Sequence, residues 1–160
     1  MEDTLVFIHG LESTAQGAKG KFFSQNFPHM IIENYVGDFQ TRMTKLNHIL
    51  AEKNSLIIVG SSYGGLMAAR YAMENENKVK KLILLAPALN LSAFKSGSCI
   101  QLMMPVILYH GAGDDIVDPQ VVKKIASKYF INLEYHLVDD DHPLHKTFPL
   151  LDWKKLLLID

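Results

Sequence analysis

The sequence contains one cysteine, Cys99, so the chain cannot form an internal disulfide bond. We interpret Cys99 as a packing residue, because no catalytic signature surrounds it. No apolar run approaches the roughly 20 residues that a helix needs to cross a bilayer. The start of the chain, Met1-Glu2-Asp3, lacks the basic residues that open a signal peptide. These absences predict a cytoplasmic protein in a reducing compartment, without a membrane partner.

The chain also lacks an excess of charge of either sign. Its formal net charge is −1 at pH 7, which argues against a nucleic-acid partner. Neither Gly-x-x-x-x-Gly-Lys nor Gly-x-Gly-x-x-Gly occurs, so nucleotide binding has no motif to support it. His142 and His145 are spaced His-x-x-His, but no helix carries His-Glu-x-x-His. We therefore expect neither a metal nor a cofactor.

The sequence contains several short runs of branched apolar residues. They predict six strands, at residues 4–8, 30–32, 55–59, 79–86, 105–109 and 132–138. Five helical patterns lie between or after them, at residues 15–23, 39–53, 66–73, 119–129 and 148–158. Continuous apolar strands that alternate with helices predict a sheet covered on both faces. We expect a single domain of residues 1–160, an α/β/α sandwich around a mostly parallel six-stranded sheet.

The most informative stretch is Gly60-x-Ser62-x-Gly64, which lies between a predicted strand and a predicted helix. This is the pattern of a nucleophile elbow, a sharp turn that exposes a strained serine above the sheet. The positions two before and two after the serine must be small, because strand and helix pass close together there. The same requirement favours Ser62 over Ser61, whose neighbours at that spacing are large.

Acidic residues follow the fifth predicted strand, where ligands bind in open parallel sheets. Asp114 lies at the tip of the loop that begins at Gly111, and we favour it as a functional carboxylate. Asp115 and Asp118 compete with it. Asp118 precedes a proline at a predicted helix start and is better explained as a helix cap, whereas Asp115 is interpreted as solvated.

Histidines follow the sixth predicted strand. His142 lies closer to the strand end than His145, and we favour it as a catalytic base. The acidic run 139–141 before it is interpreted as mostly solvated, although one of its members could orient the loop. His9 and His110 each precede a glycine at a strand end and are expected to shape loops rather than to catalyse.

Ser62, Asp114 and His142 occur in the chain order of the α/β-hydrolase triad. In such a triad the histidine removes the serine proton, and the aspartate orients and stabilises the histidine. The negative oxygen that develops on the substrate needs two backbone donors. We predict the amides of Tyr63 and Leu11 for this oxyanion hole.

Four stretches resemble the small YqiA-type bacterial esterases of the α/β-hydrolase superfamily. They are LVFIHGLES at residues 5–13 with Ala18-Lys19, IVGSSYGG at residues 58–65, Gly113-Asp114, and Asp141-His142. The resemblance implies a minimal α/β hydrolase that lacks the first two strands of the superfamily. It also implies esterase activity on short acyl esters and a triad of Ser62, Asp114 and His142.

The connection between the fourth and fifth predicted strands is where many hydrolases insert a lid. Residues 89–104 offer only sixteen positions, so we expect no cap domain and an open, shallow site. We predict that substrate contacts His9, Gly10, Leu89, Phe94 and Met103. Other residues expected in the site wall are Leu11, Tyr63 and Leu91.

These features predict a serine carboxylesterase that acts on a small-molecule ester. A thioesterase would use the same residues, so a thioester substrate remains open. A hydrolase-fold protein that binds a ligand without turnover is a further alternative, although a binding module needs no Ser, His and Asp together. A flavodoxin-like binder would explain the parallel sheet but not the elbow.

Overall fold

The computed structural model describes residues 2–95 and 100–158, so Cys99 lies outside the described residues. The strands are β1 (Thr4–Ile8), β2 (Ile31–Ile32), β3 (Leu56–Ser61), β4 (Val79–Leu85), β5 (Val106–Gly111) and β6 (Leu133–Val138). The helices are α1 (Ala18–Asn26), α2 (Phe39–Leu50), α3 (Tyr63–Glu74), α4 (Ser92–Lys95), α5 (Pro119–Tyr129) and α6 (Trp153–Leu157). None of these helices is long and apolar enough to cross a membrane.

All strand pairings in the sheet are parallel, as the sequence predicts, and the order is β2-β1-β3-β4-β5-β6. The register pairs Ile8 with Gly60 and Gly111 with Val138, which are residues at or near the strand ends. Because parallel strands share a direction, the loops that follow β1, β3, β5 and β6 meet at one edge of the sheet. This edge is where the sequence places its candidate site residues.

Successive side chains along a buried strand point to opposite faces of the sheet, so a layer of core residues lies on each face. Ile58 packs in a cluster with Leu46 of α2 and with side chains of α3 and α5. Its neighbour Val59 points to the other face and packs with Phe23 of α1 and Trp153 of α6. Helices therefore cover both faces of the sheet, and the predicted three-layer α/β/α architecture is confirmed.

The helices differ from the prediction in several places. Residues 148–158 form a 3-10 turn, Phe148–Leu150, followed by α6, because the Asp152 side chain accepts the N–H of Lys155 and starts a new helix. Residues 89–104, the connection too short for a cap domain, contain the one-turn helix α4, where the sequence pattern predicts no helix. Helix α1 begins at Ala18, three residues later than predicted. The polar loop after β1 is correspondingly longer.

Candidate active site

Ser62 occupies the turn between β3 and α3 and has backbone angles of φ 55° and ψ −115°. Positive φ is strained for a residue with a side chain and requires support from its surroundings. The Ser62 N–H donates to the Leu85 carbonyl at 2.9 Å, and its carbonyl accepts the Ala88 N–H at 3.0 Å. A Cβ on Gly60 would lie 2.5 Å from the Gly64 oxygen, so the turn closes only with glycine there. The turn has the strained geometry that the elbow motif predicts.

The side chains of Ser62, His142 and Asp114 form a continuous hydrogen-bonded chain. His142 Nε2 lies 3.0 Å from Ser62 Oγ, and His142 Nδ1 lies 2.6 Å from Asp114 Oδ2. A carboxylate only accepts hydrogen bonds, so Nδ1 carries the imidazole proton. Nε2 is then unprotonated and can accept the proton of the serine hydroxyl.

The competing residues lie outside this chain of hydrogen bonds. Asp118 accepts a backbone N–H at the start of α5 and acts as its N-cap. Asp115 is exposed and makes no hydrogen bond within residues 2–95 and 100–158. The His145 ring bonds Asp141 at 2.6 Å, with 75% of its side chain exposed. Ser61 is the last residue of β3, and its hydroxyl makes no hydrogen bond in the described part of the chain.

The Asp114 carboxylate is buried and held by several donors. Its Oδ1 accepts the N–H groups of Ile116 at 2.9 Å and Val117 at 2.8 Å, and its Oδ2 accepts from His142. Burial alone would raise the pKa of Asp114, but the hydrogen bonds from Val117, His142 and Ile116 outweigh it and lower the pKa. Asp114 is therefore ionised at neutral pH.

The loop after β1 presents a fixed peptide group beside Ser62. The Gly10 carbonyl accepts from His9 Nδ1 at 2.7 Å and from the Ser13 N–H at 3.2 Å, and His9 Nε2 accepts the Tyr35 N–H at 2.9 Å. Burial lowers the pKa of His9, so the ring is neutral and can make both bonds. Because a trans peptide is planar, holding the Gly10 oxygen turns the Leu11 N–H to the opposite side.

The two predicted oxyanion donors are free. Neither the Leu11 N–H nor the Tyr63 N–H donates to a protein acceptor among the described residues. Tyr63 is the first residue of α3, where N–H groups have no partner inside the helix. A Cβ on Gly10 would lie only 3.4 Å from Ser62 Cβ, so the β1 loop passes directly beside the serine.

The loop that carries His142 is anchored by Asp140, which is only 6% exposed. Its carboxylate accepts the N–H groups of Asp141 at 2.8 Å, Lys146 at 3.1 Å and Thr147 at 2.7 Å. Burial alone would raise the pKa of Asp140, but these hydrogen bonds hold it at about 2. The sequence predicts a mostly solvated run 139–141 with one member that could orient the loop; Asp139 is exposed, and Asp140 is the member that holds the loop.

We expect Asp140→Asn to destabilise the fold by about 1–3 kcal/mol at pH 7, because bonded backbone donors lose a charged acceptor. The pKa of Asp140 is lower when folded than its usual value, so its charge stabilises the fold above about pH 4. That contribution fades as the pH falls towards 2. Urea unfolding of the wild type and of Asp140→Asn at several pH values should show that the difference between their free energies of unfolding becomes smaller below about pH 4. Asp139→Asn, the matched control, should have little effect; equal destabilisation by both variants would contradict the anchoring role.

Lys19 on α1 reaches across to the same loop. Its Nζ donates to the Pro143 carbonyl at 2.7 Å and lies 5.4 Å from the centre of the Phe148 ring. Burial lowers the pKa of Lys19, and the negative charges of Asp141 and Asp140 oppose the shift. This bond ties the first helix to the residue that follows His142. Sequence reasoning assigned no role to Lys19.

A cavity of about 580 Å³ opens above Ser62. His9, Gly10, Leu11, Tyr63 and Leu91 lie in its wall, as expected. Further wall residues are Ile116, Val117, Pro143 and Lys19. The wall is mainly apolar, with polar groups at the serine and near the His142 loop.

The predicted substrate contacts of Leu89, Phe94 and Met103 are wrong. Leu89 is 0% and Phe94 2% exposed, and both pack in the hydrophobic core. Helix α4 turns Phe94 inward against Tyr129, with 5.2 Å between the ring centres. Met103 is 62% exposed but lies outside the cavity wall. The cavity wall instead includes Ile116, Val117 and Pro143, which lie in the segments after β5 and β6 that carry Asp114 and His142.

The parallel sheet, the strained serine turn and the loops that meet above it define an α/β hydrolase. The family described as serine aminopeptidase, S33, matches residues 24–104, about half of the chain, and the chain belongs to this family. The match includes Ser62 and the turn around it. Asp114 and His142 lie beyond the matched residues.

The chain also resembles individual proteins and solved structures. The chain is 32% identical over 76 residues to homoserine O-succinyltransferase of Saccharophagus degradans, which is 48% of this chain but only 19% of that protein. Among solved structures, α/β hydrolase domain-containing protein 10 from mouse has a TM-score of 0.73 at 22% identity, covering 89% of this chain and 83% of the other. A Pyrococcus furiosus esterase has a TM-score of 0.72 at 15% identity, covering 96% and 79%. At these identities the structures establish the fold.

Proposed function

We propose that this hydrolase is a serine carboxylesterase that cleaves small acyl esters through an acyl-enzyme intermediate. The observation that carries the proposal is the hydrogen-bonded chain from Ser62 Oγ to His142 Nε2, at 3.0 Å, and from His142 Nδ1 to Asp114 Oδ2, at 2.6 Å. A serine hydroxyl is a weak nucleophile unless a base accepts its proton. The neutral imidazole supplies that base, and the buried carboxylate stabilises the imidazolium that forms.

In the acylation step, Ser62 Oγ bonds to the carbonyl carbon of the ester while its proton moves to His142 Nε2. The carbonyl oxygen becomes negative and, in this proposal, the N–H groups of Leu11 and Tyr63, which have no protein acceptor among the described residues, stabilise it. The bond from the carbonyl carbon to the alcohol oxygen then breaks. The departing alcohol takes the proton from His142 Nε2 and leaves the acyl group on Ser62.

Deacylation repeats these transfers with water in place of serine. His142 Nε2 accepts one proton of the water while the water oxygen bonds to the acyl carbon. The bond to Ser62 Oγ breaks, and the proton on His142 returns to that oxygen. The products are a carboxylic acid and free enzyme, so no cofactor or co-reactant other than water is required.

The cavity supports a substrate with a compact acyl group. Its volume of about 580 Å³ is within the usual range of small-molecule sites. The wall beside the serine is formed largely by apolar side chains such as Leu91, Ile116 and Val117. These surfaces favour an uncharged acyl group through burial of apolar area.

The proposal predicts that a fluorophosphonate probe modifies Ser62 and that Ser62→Ala abolishes the modification. Such a probe bonds to a serine only when a base activates it, so the reaction reports an assembled triad. Intact-mass analysis should find one adduct on the wild type and none on Ser62→Ala. Ser61→Ala, which alters the adjacent hydroxyl, is the matched control and should still be modified. Absence of an adduct on folded wild-type protein would reject the triad and favour a binding protein without turnover.

Hydrolysis of p-nitrophenyl esters of increasing acyl length should then identify the substrate class. We expect acetate to hexanoate esters to be hydrolysed with the highest kcat/KM, and long-chain esters more slowly. A matched ester and thioester with the same acyl group separates a carboxylesterase from a thioesterase. Clear preference for long chains, or for the thioester, would replace the substrate part of the proposal while leaving the triad in place.

A further inference from the structure

His110 is a second histidine that contacts the Asp114 carboxylate. It lies near the end of β5, and its side chain is 0% exposed. Its Nε2 is 3.0 Å from Asp114 Oδ2, the same oxygen that binds His142 Nδ1 at 2.6 Å. The mechanism above uses Asp114 and His142 but assigns no role to this second histidine.

The hydrogen-bond partners of His110 define its tautomer. Nε2 also lies 3.0 Å from the carbonyl oxygen of Val117, so both neighbours of this nitrogen are acceptors. Nε2 must therefore carry the proton and donate it. His110 Nδ1 is buried without a hydrogen-bond partner among the described residues. A proton on that nitrogen would be a buried donor without an acceptor, and burial correspondingly lowers the pKa of His110.

We propose that His110 is a positioning residue that holds Asp114 Oδ2 in the orientation from which it binds His142. This inference rests on the proposed function. With the His110 bond, each carboxylate oxygen accepts two hydrogen bonds: Oδ1 from Ile116 and Val117, and Oδ2 from His142 and His110. Rotation of the carboxylate would break all four at once. The buried Nδ1 without a partner is a destabilising feature that packing alone does not explain.

The His110 bond also affects the strength of the base. A donor on Asp114 Oδ2 disperses the negative charge that would otherwise act on His142 alone. Removing this donor should strengthen the attraction between the carboxylate and the His142 imidazolium, so the acid-side midpoint of the kcat/KM profile should rise. Other titratable groups lie in the cavity wall, which includes His9, Glu12, Lys19, Tyr63 and His145, or follow β5 and β6 in the chain, which are Asp115, Asp118, Asp139, Asp140 and Asp141. All of them are unchanged in the variants below.

His110→Leu tests the proposal, because leucine is similar in size and cannot donate a hydrogen bond. We expect kcat/KM at pH 8 to fall about 10- to 100-fold, the factor that corresponds to one lost hydrogen bond to a charged group. We expect the acid-side midpoint of kcat/KM to rise by about half a pH unit or more. His110→Gln restores an N–H donor at a similar reach, and it should recover most of the rate and return the midpoint towards the wild-type value.

Leu108→Ala is the matched control, since Leu108 is buried on the same strand two residues before His110 and packs in the hydrophobic core. It should lower the melting temperature and leave the midpoint unchanged. If His110→Leu behaves in the same way, with an unmoved midpoint, His110 only packs the core and the proposal is wrong. A midpoint that rises in the leucine variant and returns in the glutamine variant supports it.

Nitrogen-15 spectra of wild-type protein with labelled histidine provide a test that needs no stable leucine variant. We expect one histidine, identified by its absence in His110→Gln, to have its proton on Nε2 and a bare Nδ1 at about pH 7 and above. A neutral ring with its proton on Nδ1 instead of Nε2 would overturn the proposal, because Asp114 would then receive no donor from His110. Failure of the proposed function is separate: it would appear as no Ser62-dependent turnover, whatever the tautomer of His110.

Discussion

Replacement of Asp114 by asparagine is expected to lower kcat/KM for an acyl ester by about 10⁴-fold. Four donors point at this carboxylate: two backbone N–H groups, His142 Nδ1 and His110 Nε2. An amide has one oxygen and one NH₂ group, so it cannot accept on both sides. If its oxygen accepts the backbone donors, its NH₂ faces His142 Nδ1.

His142 can then remain bonded only by moving its proton to Nε2, the nitrogen that faces Ser62. In that tautomer it no longer accepts the serine proton, which is why we expect a loss in kcat rather than in substrate binding. Steady-state kinetics with circular dichroism as a folding check would measure this. The control is Asp115→Asn, one residue further along and exposed, which should stay within a few-fold of wild type. A larger loss for Asp115→Asn would reverse the assignment of the carboxylate.

Much of the fold and the core of the site could be predicted because the signals are local. Strand β1 has the predicted bounds, and α5 begins at the predicted Asp118-Pro119 cap. Ser62 stands in a motif whose glycines are a steric requirement of the turn. Parallel strands then bring the loops after β3, β5 and β6 to one edge, so residues far apart in sequence could be assigned to one site.

Contacts that depend on the path of a loop could not be predicted. Phe94 and Leu89 look like cavity residues in sequence, but α4 carries Phe94 into the core. Asp140 lies in a run of three acidic residues, and only the return of the chain at Lys146 and Thr147 gives it donors. From the sequence, His110 was interpreted as a residue that shapes a loop. Its contact with Asp114 depends on the geometry of the turn between the two residues, which the sequence alone does not give. In retrospect, its spacing of four residues from Asp114 was the available signal.

Gly64→Ala is expected to cause the largest loss of stability among single substitutions near the site. A Cβ at this position would clash with the carbonyl oxygens of Ile8 and His9, the latter at 2.6 Å. Neither carbonyl oxygen can easily move away from the added Cβ, because Ile8 pairs with Gly60 in the sheet and His9 begins the fixed loop beside Ser62. Either β1 moves away from α3 or α3 shifts and disrupts the serine turn.

We expect the free energy of unfolding to fall by about 3 kcal/mol or more, at the upper end for overpacked cores. For a chain of this size that corresponds to a melting temperature roughly 6–12 °C lower. Gly10→Ala is the matched control, because its Cβ would meet ordinary contacts of 3.4 Å and 3.5 Å in the same region. It should melt within a few degrees of the wild type. Equal melting temperatures for the two variants would show that β1 and α3 do not approach as closely as the elbow requires.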